Sequence, residues 1–253
     1  MRPPTTVLVA LALSIATSLV SVLGFAEAKA KEPNAVTAID IQLEPDATMI
    51  KDAKAANERL LKSFPKGFAL GESHRPHISC LQRYVKTADL DKVYAAILKV
   101  LNDGGPLKLM AYRYHFIPGE GALKENGIGI LIEPTDTLIE FQQKLIDAVA
   151  PFTVKTGTAA AFATTKEESD IHQRTITYVE NFVPNETGNK FNPHITIGIA
   201  SRDYLRKMLD EKPKPHTCYP VGVSVCQLGN SGTAPKKLKR WRFIRQTPRF
   251  RGS

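Results

Sequence analysis

Apolar and polar positions alternate along two stretches of the chain that look alike. "IDIQLEPDATMI" (residues 39–50) and "IGILIEPTDTLI" (residues 128–139) each begin as a strand-like run. Glu-Pro follows in both, then an Asp or Thr of the kind that caps a helix. Helical spacing comes next. Ile50, Ala53, Leu60, Leu61 and Phe64 share one face of the first helix; Leu138, Phe141, Leu145, Ile146 and Val149 share one face of the second. Each helix leads to a second strand that opens on Pro-His, "PHISCLQRYV" and "PHITIGIA". A further helix follows, "ADLDKVYAAILKVL" (residues 88–101) or "SRDYLRKMLDE" (residues 201–211). A strand then closes each half, "LKLMAYRYHFI" (107–117) or "YPVGVSVCQLG" (219–229). The pattern predicts β-α-β-α-β written twice in an α+β protein, over about 37–117 and 128–229.

The two copies differ in one spacing. Pro45 to His77 is 32 residues and Pro134 to His194 is 60, so the second copy carries an insertion within residues 152–191. Its last part, "RTITYVENF", alternates like a strand. The remainder is small and polar and reads as a loop or hairpin able to line a cleft.

The ends of the chain are different in kind. Residues 7–25 are mostly apolar behind Arg2, and Ala26-Glu27-Ala28 or Ala28-Lys29-Ala30 offers a small-residue cleavage site. Residues 1–28 are therefore expected to be a signal peptide. An uncleaved membrane anchor is the rival reading, because the run is about long enough to span a bilayer. Either one puts the body of the protein in the periplasm or outside the cell. The net charge is +9, yet eight Lys and Arg and no acid fall in residues 236–253, leaving only +1 for the rest. The basicity thus belongs to a C-terminal tail and not to a basic domain. Such a tail could touch nucleic acid or anionic lipid, or pack Trp241 and Phe243 back on the body. Of the three cysteines, Cys80 reads as a buried thiol, and pairing of Cys218 with Cys226 stays open. Nothing resembles a Walker loop, a dinucleotide glycine fingerprint or GxSxG, and no cofactor is expected.

The chemistry lies in the repeated Pro-His. Among six histidines, only His77 and His194 have Pro before them, Ile after them, and Ser or Thr two residues on. Residues i and i+2 of a strand share a face, so His77 goes with Ser79 and His194 with Thr196. Ile195, Ile197 and Ile199 make the opposite face apolar. Two such halves about a pseudo-twofold axis would bring both pairs to one cleft. A phosphodiester suits that cleft. One imidazole can take a proton and the other give one, since imidazole titrates near neutrality. The two hydroxyls could hold non-bridging oxygens. No metal is needed, and "HRPH" (residues 74–77) has no carboxylate cluster to join it as a metal site. His115, His172 and His216 read as surface or satisfied core residues. "GNSGT" (229–233) is either a phosphate cradle or a turn. Tyr112, Tyr114 and Phe116 alternate with Arg113 and His115, and such rings either stack a base or fill the core.

These motifs resemble the 2H (two-histidine) phosphoesterase superfamily, the 2′-5′ RNA ligase-like and cyclic phosphodiesterase group. Its mark is two His-x-Ser/Thr motifs, each followed by a hydrophobic residue. Here they read His77-Ile78-Ser79-Cys80 and His194-Ile195-Thr196-Ile197, with Cys80 as a departure. The similarity spreads over residues 37–238, as far as the closing "CQLGNSGTAPKKL". It implies a bilobal fold with two antiparallel sheets around a central cleft. It also implies metal-independent cleavage of 2′,3′-cyclic phosphate or 2′-5′ bonds in nucleotide or RNA-derived substrates; a monomer is expected. His77 and His194 would be the acid and base, in an order left open, with Ser79 and Thr196 on the phosphate. The alternative is a non-catalytic protein of the same fold that binds a nucleotide or other phospholigand.

Overall fold

The computed structural model describes residues 35–243, apart from 73, 105–106, 118–125, 166–167, 212 and 214. The expected signal segment, residues 1–28, lies outside them, as do residues 244–253. Among the described residues no helix is long and apolar enough to cross a membrane.

The first repeat forms β1 (Val36–Glu44), α1 (Ala47–Ser63), β2 (Ile78–Lys86), α2 (Leu90–Asp103) and β3 (Leu109–Ile117). The second begins with β4 (Asn126–Ile132) and α3 (Asp136–Val149). It continues through the short β5 (Thr153–Val154), α4 (Gln173–Asn185), β6 (His194–Ala200), α5 (Arg202–Asp210), β7 (His216–Cys218), β8 (Gly222–Gln227) and β9 (Lys236–Arg242). The residues after each Glu-Pro do cap the helices. Asp46 Oδ1 accepts from the Met49 N–H at 2.9 Å, and Thr135 Oγ1 accepts from the Leu138 N–H at 3.3 Å.

The strands make a five-stranded sheet, β5-β2-β1-β8-β9, and a four-stranded sheet, β6-β4-β3-β7. All their pairings are antiparallel. The sequence halves are therefore not the sheets. The first half gives β3 to the second sheet, and the second half gives β8 to the first. The helices cross over too, with α1 packed against β6 and α3 against β2. Ile39, Ile41 and Leu43 of β1 and Ile128, Ile130 and Ile132 of β4 enter one common core with these helices. A second cluster covers part of the other face of the five-stranded sheet, where Ala38, Tyr84 and Leu228 meet Phe162, Ile176 and Val179 of the insertion.

A bulge stands at the same place in both halves. Gln42 pairs with Ser79 and Ile41 with Leu81, leaving Cys80 as the extra residue. Gly129 pairs with Thr196 and Ile128 with Gly198, leaving Ile197 extra. A bulge residue loses its ladder partner, so its buried carbonyl needs another donor. In each case a buried amide from the crossed-over helix supplies it. Asn57 Nδ2 of α1 donates to the Ile197 carbonyl at 2.8 Å, and Gln142 Nε2 of α3 donates to the Cys80 carbonyl at 3.0 Å. By this ladder Gln42 matches Gly129 and Asp40 matches Gly127. That is two residues out of step with the Glu-Pro match of the sequences. A two-residue slip keeps every side chain on its face.

One expectation needs correction, and of the two readings of the basic segment the packed one holds. "RTITYVENF" is not a strand but most of α4, because Thr175, Ile176, Val179 and Phe182 recur with helical spacing on its buried side. The basic tail is, over Lys236–Arg242, the edge strand β9. Leu238, Trp241 and Phe243 pack on the core, Trp241 edge-on to Tyr94, and Lys237 and Arg240 both pair with Glu44. Lys and Arg along an edge strand discourage pairing with another chain, so this charge has a role in the fold itself.

Candidate active site

Both histidines are set by the same local device. Pro76 and Pro193 have no N–H and hold the residue before them extended. The carbonyl of that residue is then met by the imidazole. His77 Nδ1–H donates to the Arg75 carbonyl and His194 Nδ1–H to the Asn192 carbonyl, each at 2.7 Å. This fixes one tautomer in both rings and leaves both Nε2 atoms for chemistry. Burial lowers the proton affinity of each ring, and its bonded carbonyl recovers part of it. Positive charge on His77 lowers His194 further. The two rings thus sense each other, across the place where β2 of one sheet touches β6 of the other.

Around His77 the surroundings are polar and enclosed. Asp40, on the central strand β1, is 0% exposed. Its Oδ2 accepts from Ser79 Oγ at 2.8 Å and lies 3.4 Å from His77 Nε2. Its Oδ1 has no hydrogen-bond partner among the described residues. Burial raises the Asp40 carboxyl to about 7, with the Ser79 hydroxyl opposing. Gln42, also buried, donates from Nε2 to Ser224 Oγ and Cys226 Sγ, both at 3.1 Å.

Around His194 the surroundings are bare. A side chain on Gly129 would put its Cβ 3.2 Å from His194 Cδ2 and 3.1 Å from the Ile195 carbonyl, so the ring packs closely over the glycine backbone. Across Gly129 on the ladder stands His115, its ring centroid 6.0 Å from that of His194. His115 Nε2 accepts from Asn192 Nδ2 at 2.9 Å. The residue that positions His194 through its backbone therefore positions His115 through its side chain. Burial, then charge on His194 and Arg113, lowers His115. Thr196 is exposed, on the same strand face as His194.

The structure therefore brings His77, Ser79, His194 and Thr196 to facing strands. It treats the other candidates differently. Tyr114 and Phe116 pack against the core, on the side of β3 away from His115. Tyr112 carries the Arg113 guanidinium 5.3 Å from its ring centre and lines a separate cavity of about 460 Å³ with Asp52, Arg59 and His216. None of the three rings joins the histidines. An aromatic within reach of the Asp40 charge is Tyr178 of α4, 42% exposed, whose hydroxyl feels Glu186 and Asp40. Its strand-like surroundings in the sequence hid it. "GNSGT" forms a turn closed by Gly229 N–H to the Thr233 carbonyl at 2.7 Å, with Asn230 tied to the start of α4. Cys80, Cys218 and Cys226 are buried free thiols, and Cys218 and Cys226 sit in different sheets. Among the described residues no group of three His, Cys, Asp or Glu side chains is arranged to hold a metal ion.

Asp40 and His115 were missed in the sequence. Asp40 looks like an outward residue of an alternating strand. His115 has no motif, and only its place opposite Gly129 connects it to the site.

No protein-family model matches the chain, and no curated protein matches its sequence. Solved structures do match its fold. TT0787 of Thermus thermophilus aligns with a TM-score of 0.50 at 12% identity, over 81% of this chain and 97% of that one. E. coli LigT complexed with 3′-AMP aligns at 0.44 and 14% identity, over 82% and 97%. E. coli LigT complexed with NADP+ aligns at 0.40 and 14%, over 82% and 98%. The chain has the 2H phosphoesterase fold: α+β, with two antiparallel sheets.

Proposed function

We propose that this protein is a metal-independent phosphodiesterase acting on 2′,3′-cyclic phosphates or 2′-5′ bonds of nucleotide or RNA-derived substrates. One observation carries the reading: two imidazoles on facing strands, each with Nδ1–H tied to the carbonyl two residues upstream and Nε2 left for chemistry. A buried structural histidine has no need of that matched arrangement. The neighbours support a division of labour. His194 has glycine and a second imidazole beside it, and charge on His77 opposes its protonation, which suits a base. His77 has a carboxyl beside Nε2, which suits an acid. In hydrolysis of a cyclic phosphate, His194 Nε2 takes a proton from water as the water oxygen bonds to phosphorus. The bond from phosphorus to the ribose oxygen breaks, and that oxygen takes the proton of His77 Nε2.

The test is turnover of a 2′,3′-cyclic nucleotide. His77→Ala and His194→Ala should each lower kcat/KM roughly 10²–10⁴-fold, the usual worth of a general acid or base. The double variant should lose far less than the product, since the pair acts as a unit. EDTA should leave the rate unchanged. Loss of activity in EDTA, or full activity in His77→Ala, would refute the mechanism. Binding without turnover in the unaltered protein would make it a phospholigand-binding protein.

A further inference from the structure

We infer that Asp40 is a positioning residue for His77: its carboxyl keeps a proton at the ring's Nε2 and draws the Ser79 hydroxyl away from the phosphate. The inference rests on the two-histidine reading and adds to it a residue that the His-x-Ser/Thr motif does not contain. With Nδ1–H fixed on the Arg75 carbonyl, His77 can exchange a proton only at Nε2. The group facing that atom, 3.4 Å away, is Asp40 Oδ2. A proton on Nε2 therefore lies beside this carboxyl, which attracts it when ionised.

The fold does not require this carboxyl. At the matching ladder position the second sheet has Gly127. A buried carboxyl with an unpartnered oxygen also weakens the folded state. Its presence on the cleft face, at 0% exposure, therefore calls for a role beyond packing.

Several charged or titratable groups face this pair. Cys80 comes from β2, Cys226 from β8, Tyr178 with Glu186 from the α4 region, and His194 from β6. Arg75 and Lys237 reach Cys226 with positive charge. Burial holds Cys80, Cys226 and Tyr178 protonated well above neutrality, so they stay uncharged where the enzyme would work. Burial also raises Asp40 to about 7 and lowers His77. Asp40 sets where the proton waits and not how many are consumed. The proton lost from His77 to the ribose oxygen is replaced, over the cycle, by the one His194 took from water.

The experiment follows the His77 ring C–H resonance by NMR in the full chain across pH 5–9, beside rate profiles on a 2′,3′-cyclic nucleotide. In the unaltered protein His77 should titrate in two steps, one tracking Asp40. In Asp40→Asn it should titrate once, lower by about one pH unit or more, as expected on losing an adjacent anion; His194 should move less. The alkaline limb of kcat should shift down with it, while KM changes little. Ser79→Ala keeps the carboxyl and should move the limb much less. A one-step His77 titration in the unaltered protein overturns the inference even if Asp40→Asn does not fold. An unchanged His77 in Asp40→Asn overturns it too, as does an equal shift in Ser79→Ala. Should Asp40→Asn move His77 while His77→Ala keeps full activity, the two-histidine reading fails, and the role of Asp40 in catalysis fails with it.

Discussion

On the first sheet, the strand beside His77 carries Asp40 and Gln42; on the second, beside His194, the matching positions are Gly127 and Gly129. Everything that aims the two rings is otherwise duplicated. Each follows a proline, each binds the carbonyl two residues back, and each precedes a bulge held by a buried amide from a helix of the other half. Duplication supplies geometry, because it gives two equally aimed rings; under the proposed mechanism they would meet at one phosphate. It cannot by itself supply chemistry, because acid and base must differ in proton affinity. The difference comes from what stands next to each ring: a carboxyl on one side, and on the other bare backbone and a second imidazole. Environments that push two titratable groups apart are how acid and base roles are divided in active sites.

The sharpest way to expose that asymmetry is the pH dependence of stability. Asp40 rises from 3.8 to about 7 on folding. Between those values the folded chain keeps a proton that the unfolded chain has lost. Stability therefore falls as pH rises through this range, and the loss is complete above about 7. The full effect is on the order of 4 kcal/mol, from about three pKa units. The part-buried His77, His194, His115 and His74 act oppositely. Their folded affinities are lowered, so stability falls as pH drops below the ordinary imidazole value near 6.5. Asp40→Asn should remove the alkaline loss alone. By urea denaturation it should exceed the unaltered protein at pH 8 and converge with it near pH 4. An equal gap at both pH values would mean that Asp40 does not carry a shifted proton in the folded state.

How far the sequence disclosed this depends on the range of the interactions. The twin Pro-His-Ile-hydroxyl motif, the strand-then-cap pattern and the helical faces are local, and they were legible. Asp40 was not. In "VTAIDIQLE" it occupies the polar side of an alternating strand, which reads as solvent-facing. Only the closing of the cleft and the insertion over that face bury it. The exchange of β3 and β8 was hidden for the same reason, since alternation fixes a strand's faces and not its neighbours. The basic segment 236–242 left two readings open, since its charge stands out beside the apolar Leu238 and Trp241 that hold it to the sheet.

The shared scaffold can be tested apart from the chemistry. Asn57 donates to the Ile197 and Phe68 carbonyls and accepts from the Leu70 N–H, three bonds in all; Gln142 donates to the Cys80 and Glu186 carbonyls. Leaving buried carbonyls unpaired costs about 1–3 kcal/mol each, less whatever water recovers. Asn57→Ala should cost about 3 kcal/mol and Gln142→Ala about 2 kcal/mol in chemical denaturation, with amide exchange quickened in β6 and β2 respectively. Losses below about 0.5 kcal/mol in both would show that the bulges stand without these amides.

The smallest expected difference lies between the two hydroxyls. The motif makes Ser79 and Thr196 equivalent, but their bonds do not. Ser79 donates its hydrogen to Asp40 at 2.8 Å and can offer a phosphate only lone pairs while that bond lasts. Thr196 is exposed beside His194 and its hydroxyl is free to turn toward a non-bridging oxygen. A hydrogen bond to a charged group is worth about 1.5–3 kcal/mol, so Thr196→Ala should lower kcat/KM roughly 10–100-fold. Thr196→Ser, which keeps the hydroxyl, should restore most of it. Ser79→Ala should lower kcat/KM only about two- to five-fold, through a slightly altered Asp40 rather than a lost phosphate contact, an effect below about 1 kcal/mol. Equal losses in the two alanine variants would place both hydroxyls on the phosphate. Asp40 would then have to release Ser79 when substrate binds, and the two arms of the site would be alike in the one respect where the hydrogen bonds of Ser79 and Thr196 make them differ most.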